Sequence, residues 1–275
     1  MISGFIHEFA PAKINLSLAV GPLGKDGFHP IDSLVAFADF GDELSFAPAR
    51  ELTLHLSGPF AQHVPSGHDN LVLRAARVLA AKTGKIDTGA EIHLCKNLPV
   101  ASGMGGGSTD AAATLRGLNR LWDTGLSAAE LARIGAELGS DIPACVYGQR
   151  LRMCGRGEQI YILDAQPALA TVLVNPGISI STAAVFAQFD QMQINPLDSN
   201  ALCAPAILLA PVIGDVLSAL RALPLHQLVQ MSGSGATCFA SFETETAAKK
   251  AAQNLQQAHP KWWVKQVQIG ANTAD

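Results

Sequence analysis

Three stretches of this sequence carry groups that could move a phosphoryl group. Leu98-Pro-Val-Ala-Ser-Gly-Met-Gly-Gly-Gly-Ser-Thr-Asp-Ala-Ala-Ala113 is a glycine-rich run that passes straight into a helical pattern. Glycines let backbone amides close on an anion, and a helix N-terminus adds roughly half a positive charge, so phosphate is the natural ligand. A tight structural turn is the competing reading, and the hydroxyls of Ser108 and Thr109 in the first helical turn favour phosphate. The run is neither G-x-x-x-x-G-K-[ST], since it holds no lysine, nor G-x-G-x-x-G, since Ser108 takes the last position. Pro11-Ala-Lys-Ile-Asn-Leu16 places Lys13 at a strand entrance, and Gly139-Ser-Asp-Ile-Pro143 places Asp141 at a proline-led helix start. Alone, these read as a surface lysine and a helix cap. Together with the loop they supply what transfer to an alcohol requires: a phosphate cradle, a cation and a proton acceptor. Met231-Ser-Gly-Ser-Gly-Ala-Thr237 is a second glycine-serine loop, and Asp26-Gly-Phe-His29 offers a ring and an imidazole that could stack on and bond a base.

Regular elements must position these groups. Ile14, Leu16, Leu18 and Val20 alternate as on a half-buried strand, so Lys13 and Asn15 point the same way. Further strands are expected at 34–38, 44–47, 52–56 and 91–95. A helix is expected over 70–83 with Gly84 as its stop, another from Ser108 to near Gly125, and a third from the capping box Ser127-Ala-Ala-Glu130 to Gly139. The second half opens with a strand at 168–174 closed by Asn175-Pro-Gly177. Helices are expected at 181–190, 207–222 and 246–259, with strands at 237–242 and 264–269. The class is α+β, with a domain boundary near 165.

Composition excludes several classes. Hydrophobic residues make up 48% of the 275 and charged residues 15%, so the whole is not disordered. The formal charge is -4 with no basic run, which argues against a nucleic-acid partner. Cysteines at 95, 145, 154, 203 and 238 form neither a C-x-x-C nor an even framework, so reduced thiols in the cytoplasm are expected. No signal peptide is visible in the opening residues. The apolar run 201–214, interrupted by Pro205 and Pro211, is shorter than the roughly 18 residues a membrane span needs and reads as buried helix and turn. His93-Leu-Cys95 offers a pair of metal ligands, but two ligands do not make a site, and the stretch reads as one strand face.

Three of these motifs, in this order, resemble the signature segments of the GHMP small-molecule kinases: 11–16, 99–112 and 231–237. Asp26-Gly-Phe-His29, the triple Gly105–Gly107 and Gly139-Ser-Asp-Ile-Pro143 narrow the resemblance to the branch that phosphorylates a cytidyl-linked methylerythritol. The resemblance covers residues 10 to about 242. It implies a two-domain fold, with a strand-rich ATP-binding domain over 1–164 and a ferredoxin-like α/β domain over 165–275. It also implies an ATP- and Mg2+-dependent kinase that phosphorylates the substrate's C2 hydroxyl, works in the cytoplasm as a monomer or weak homodimer, and has no membrane partner. By resemblance, Asp141 is the catalytic base and Lys13 the lysine that orients the hydroxyl. Lys96, Pro99, Val100, Ala101, Ser102, Gly103, Met104, Gly105, Gly106, Gly107, Ser108 and Thr109 match the ATP site. Asn15, Phe28, His29, Thr182 and Phe186 match the substrate site, and Ser108 is the candidate metal ligand.

The chain departs from the family pattern at several points. Met104 replaces the usual leucine, Thr109 a second serine, and Phe28 a tyrosine, which reduces Phe28 to stacking. Asn200-Ala-Leu202 replaces the usual Asn-Asp and is assigned no role. Two rivals are a sibling kinase acting on homoserine or a mevalonate-type alcohol, and a non-catalytic ligand sensor. The Asp-Gly-Phe-His element argues against the first, and the presence of both Lys13 and Asp141 against the second.

Overall fold

In Leu52–Ser57 every second residue is apolar and half-buried while its neighbours are exposed, as on a strand with one covered face. A computed structural model describes residues 5–65, 67–192 and 199–270; residues 1–4 of the opening stretch 1–13, in which no signal peptide is expected, lie outside it. In chain order the elements run β1 (Ile6–Asn15), β2 (Ala19–Val20), β3 (Ile31–Ala49), β4 (Leu52–Ser57), α1 (Leu71–Thr83), β5 (Gly89–Cys95), α2 (Gly106–Leu121), α3 (Ala128–Ala136) and α4 (Ile142–Tyr147). They continue with β6 (Leu151–Gly155), β7 (Gln159–Ile162), β8 (Leu169–Asn175), α5 (Thr182–Asp190), α6 (Cys203–Leu209), α7 (Val212–Arg221), β9 (His226–Met231), β10 (Cys238–Phe242), α8 (Glu245–Ala258) and β11 (Trp263–Ile269).

The chain divides into two compact units that interleave in sequence. The first comprises Met1–Ala12, Gly41–Val100 and Gly105–Gly148. Its β5 pairs in parallel with β4 and antiparallel with the 43–49 part of β3. Helix α1 makes the crossover between β4 and β5. Asn70 caps α1 by accepting from the Val72 amide, and Gly84, at φ 69, ends it. Leu44, Phe46, Ile92 and Leu94 are buried on the covered face. A Cβ at Gly117 would lie 2.3 Å from the Phe46 ring, so glycine lets α2 press onto that ring. The expected capping box at Ser127 and Glu130 starts α3.

The second unit comprises Lys13–Phe40, Ala101–Met104 and Gln149–Asp275. Its strand order β11-β8-β10-β9 is antiparallel throughout; from β8 onward the chain runs strand, three helices (α5, α6 and α7), two strands, helix, strand, the expected ferredoxin-like arrangement with an extended first crossover. Val172, Val174, Ala240, Phe242, Leu217, Leu220, Ala248 and Leu255 form its core. The 31–35 part of β3 pairs with β6, and β6 with β7.

Several element expectations need correction. The alternating run 14–20 is the end of β1 followed by a break and the short β2, because Ser17 turns its hydroxyl oxygen to accept from the Leu34 amide. The two strands expected at 34–38 and 44–47 are one strand. The helix expected over 207–222 is two, α6 and α7, divided at Pro211. Nor is the run 201–214 buried throughout: Leu208 and Leu209 are exposed. β6, β7 and β9 were not expected. No helix among the described residues is long and apolar enough to cross a membrane.

Candidate active site

In the first unit, Gly105, at φ 64, is the N-cap residue of α2, which runs 16 residues from Gly106. Its first turn presents the Gly106, Gly107 and Ser108 segment, with Gly107 exposed and Ser108 half-buried. Thr109 is buried, and its hydroxyl donates back to the Gly106 carbonyl at 2.9 Å. Pro99 is buried and Val100 half-buried at the approach to this turn.

Beneath the turn lies an ion cluster that sequence reasoning missed. Lys96 Nζ donates to Asp42 Oδ2 at 2.5 Å and to Asp110 Oδ2 at 2.6 Å, and all three residues are buried. Asp42 Oδ1 also accepts from the amides of Asn97 and Leu98, at 2.6 and 2.8 Å, which fixes the segment entering the loop. A Cβ at Gly106 would meet Lys96 Nζ at 2.9 Å, so the close approach served by this glycine is to the ammonium. Burial opposes the charged form of Lys96, but the carboxylates of Asp110 and Asp42 hold its pKa above the usual value. Burial pushes the Asp110 carboxyl well above the usual range; the ammonium opposes this and the nearby Asp42 charge adds to it. Asp110 Oδ1 is buried with no hydrogen-bond partner among the described residues. No spacing rule joins Asp42 to residues 96 and 110; a carboxylate inside a strand, directly after Gly41, was the available signal.

Asp141 is the N-cap residue of α4, and its side chain makes no capping hydrogen bond to that helix. The purely capping account therefore does not describe it. Arg116 ties the same unit together, donating to Glu8 Oε2 at 2.8 Å and to the carbonyls of Phe9 and Cys145.

The second unit brings together the first motif, the front of the glycine loop and the third motif. Lys13 is buried, and its amide donates to the Met104 carbonyl at 2.9 Å. The surface lysine expected from the isolated motif is thus an interior one. The Asn15 amide donates to Ser232 Oγ at 3.1 Å, and that hydroxyl donates to the Gly103 carbonyl at 3.0 Å. The Thr237 amide donates to the Ser102 carbonyl, also at 3.0 Å. Gly103, at φ 78, admits no Cβ: one would lie 2.4 Å from the Ser232 carbonyl oxygen. Ala101 also has positive φ, at 52°, and Met104 is fully buried. Asn15 Nδ2 donates to Ser33 Oγ at 2.7 Å, while Asn15 Oδ1 is buried without a hydrogen-bond partner among the described residues.

Asn200, left without a role by its sequence, braces the third motif. Its Nδ2 donates to the Met231 and Gly233 carbonyls at 2.7 and 2.9 Å, and its Oδ1 accepts from the Leu202 amide. Thr182 Oγ1 lies 2.8 Å from Ser234 Oγ. His29 stacks on Phe186 at 5.3 Å and meets Phe189 edge-on. Its Nδ1 is 2.8 Å from the Gly21 carbonyl and its Nε2 3.2 Å from Asp190 Oδ1. Both ring nitrogens thus face protein oxygens, which corrects the expectation that the ring offers an open nitrogen to a base. Phe28 is half exposed, with the Arg156 guanidinium 4.6 Å from its ring centre.

The first unit thus holds a long helix opening on glycines, and the second a buried lysine near a strand end with a glycine-serine loop bonded to residues 102 and 103. The description "GHMP kinases N terminal domain" matches residues 70–149 and "GHMP kinases C terminal" matches 186–261, and the chain belongs to the GHMP kinase family. The 4-diphosphocytidyl-2-C-methyl-D-erythritol kinase of Paramagnetospirillum magneticum is 44% identical over 94% of this chain and 97% of its own length. The enzyme of the same name from Parvibaculum lavamentivorans is 46% identical over 96% of this chain and 98% of its own length. A solved 4-(cytidine 5'-diphospho)-2C-methyl-D-erythritol kinase superposes with a TM-score of 0.79 at 30% identity, covering 97% of this chain and 100% of that one. Homoserine kinase from Cytophaga hutchinsonii shares the fold, with a TM-score of 0.74 at 17% identity.

Proposed function

We infer that this chain transfers the γ-phosphoryl group of ATP to the C2 hydroxyl of 4-diphosphocytidyl-2-C-methyl-D-erythritol, giving the 2-phosphate and ADP. The observation that carries the reading is the loop at 101–105, whose positive-φ residues run directly into the N-terminus of the 16-residue α2. Such a terminus is built for the phosphates of a nucleotide. In this reading residues 99–109 hold ATP, with Lys96 supporting their position through Asp42 and Asp110. Asp141 accepts the proton of the C2 hydroxyl as its oxygen bonds to the γ-phosphorus and the bond to the ADP oxygen breaks. Lys13 orients the hydroxyl and offsets the developing charge. Asn15 Oδ1, buried and lacking a partner among the described residues, accepts a hydrogen bond from the substrate. Phe28 and Phe186 offer aromatic faces to the cytosine, and His29 and Thr182 shape the same pocket.

The donor set fits Mg2+, a hard cation that takes oxygen ligands. Ser108 supplies a hydroxyl, and Asp110 Oδ1 is a buried carboxyl oxygen lacking a hydrogen-bond partner among the described residues, open to the ion once the proton that burial favours is released. When bound, the ion neutralises charge on the β- and γ-phosphates. We further propose that the family's two halves divide near 164/165 along the chain, and that the enzyme works as a monomer or weak homodimer in the cytoplasm. Thiols at Cys95, Cys154 and Cys238 suit a reducing compartment.

The test is ADP release with ATP and Mg2+ against a panel of alcohols. The cytidyl substrate should drive turnover while homoserine and mevalonate leave the background unchanged. ADP release stimulated equally by homoserine or mevalonate would overturn the substrate assignment.

A further inference from the structure

The outer face of the first unit's sheet carries a cluster that phosphoryl transfer does not use. β4 and β5 pair with His55 opposite His93. Glu91, two residues before His93, projects from the same side of β5, opposite the buried Ile92 and Leu94. His93 Nε2 lies 2.9 Å from Glu91 Oε1, and His55 Nε2 lies 3.5 Å from the same oxygen. The two imidazoles stack with centroids 4.7 Å apart and planes 25° apart. One ligand atom from each residue falls in a group spanning no more than 4.8 Å. The His55, Glu91 and His93 side chains are 56%, 41% and 43% exposed, so solvent ions reach them and their rotamers can adjust.

We propose that His55, Glu91 and His93 form a zinc-binding site with two imidazole nitrogens, one carboxylate oxygen and at least one position open to water. The sequence set His93 beside Cys95; the sheet sets it beside a histidine 38 positions away, which only the parallel pairing of β4 and β5 brings close. Mixed nitrogen and oxygen donors suit zinc rather than magnesium or calcium, which favour oxygen alone. Zinc bonds these atoms at about 2.0–2.2 Å, so the trio must contract modestly around it, which side-chain rotation supplies. The platform beneath is rigid, since β5 is hydrogen-bonded to β4 on one side and β3 on the other. The Phe5 ring packs edge-on against His93 at 5.9 Å and restricts its swing. Without metal, ring N–H groups satisfy the carboxylate. With zinc, each ring carries its proton on Nδ1 and turns the Nε2 lone pair to the ion, so the change needs no oxidant or reductant.

Calorimetric titration of the chelator-stripped full chain with Zn2+ tests the site, run beside Glu91→Gln and a His55→Gln/His93→Gln double variant. Wild type should bind one equivalent that the double variant lacks. Glu91→Gln should weaken that equivalent by about tenfold or more, since even supporting partners of a metal cost this much when removed. Zinc should also raise the Tm of wild type and leave that of the double variant unchanged. Should the double variant fail to fold, Glu91→Gln, which keeps the side-chain shape, carries the test. A wild type that takes up no zinc, or variants that keep the same stoichiometry and affinity, would overturn the proposal and assign any remaining uptake to other histidines or to thiols.

Discussion

Lys96 in the first unit and Asn200 in the second do comparable work by opposite means. Each is buried and each fixes a glycine-rich segment from beneath. Lys96 does so with charge, one ammonium between two carboxylates. Asn200 does so with a neutral amide that bonds two carbonyls and one backbone amide. A buried charge cluster responds strongly to protons and bound ions, because low local polarity strengthens every pairing and penalises every imbalance. A neutral brace holds geometry and nothing else. The contrast assigns electrostatic tuning to the segment that opens α2 and shape to the loop of the third motif.

The largest effect should come from the first unit. Asp141→Asn removes the proposed proton acceptor, and turnover should fall about 10²–10⁴-fold with ATP affinity nearly unchanged. Steady-state kinetics with ATP binding by calorimetry measures both, and turnover within about threefold of wild type would return Asp141 to a structural role. In the second unit, Asn200→Ala strands the Met231 and Gly233 carbonyls. Urea unfolding should show a loss of about 1–3 kcal/mol. That loss should be the same from about pH 5 to pH 8, because none of the groups concerned titrates there.

The charge cluster should behave otherwise. Asp110 has its folded pKa raised, so its favourable contribution is complete below the ordinary carboxyl value of 3.8 and is lost as pH rises toward the higher folded one. Across that window the unfolded chain has released a proton that the folded chain keeps, and stability falls with pH. Wild type should therefore lose stability relative to Asp110→Asn as the pH rises above 4. Parallel stability curves for the two proteins would show that Asp110 is ionised throughout and that the contrast between the units is one of geometry alone.

The sequence made the three motif segments legible because each is contiguous, and the hydroxyls of Ser108 and Thr109 beside the glycines favour phosphate over a purely structural turn. Helix starts at Asn70 and Ser127 were legible because capping is local. What stayed hidden depends on contacts between distant residues. Phe40-Gly-Asp-Glu43 has the composition of a turn, yet it lies inside the single strand β3. A Cβ at Gly41 would sit 2.1 Å from the Ala10 carbonyl oxygen, so this glycine serves a close approach of backbones and not a reversal. Asp42, Lys96 and Asp110 meet only once that strand has folded against β5 and α2. β9 escaped notice because His226-Gln-Leu-Val-Gln-Met231 starts exposed and polar and lacks clean alternation. His29 stacks on Phe186, a contact that no motif encodes, and the bonds of its ring nitrogens to Gly21 and Asp190 follow from backbone and helix positions equally hidden in the sequence.

The central claim, that the cytidyl group of the substrate is what this chain recognises, is tested most directly by kcat/KM for the cytidyl substrate, its uridyl analogue and free methylerythritol. Cytosine carries an exocyclic amine where uracil has a carbonyl, and a site that bonds the amine leaves its partner unpaired with uracil. The account predicts a preference for the cytidyl substrate on the order of 10–100-fold over the uridyl analogue, and a larger one over free methylerythritol. Equal kcat/KM for all three would contradict it.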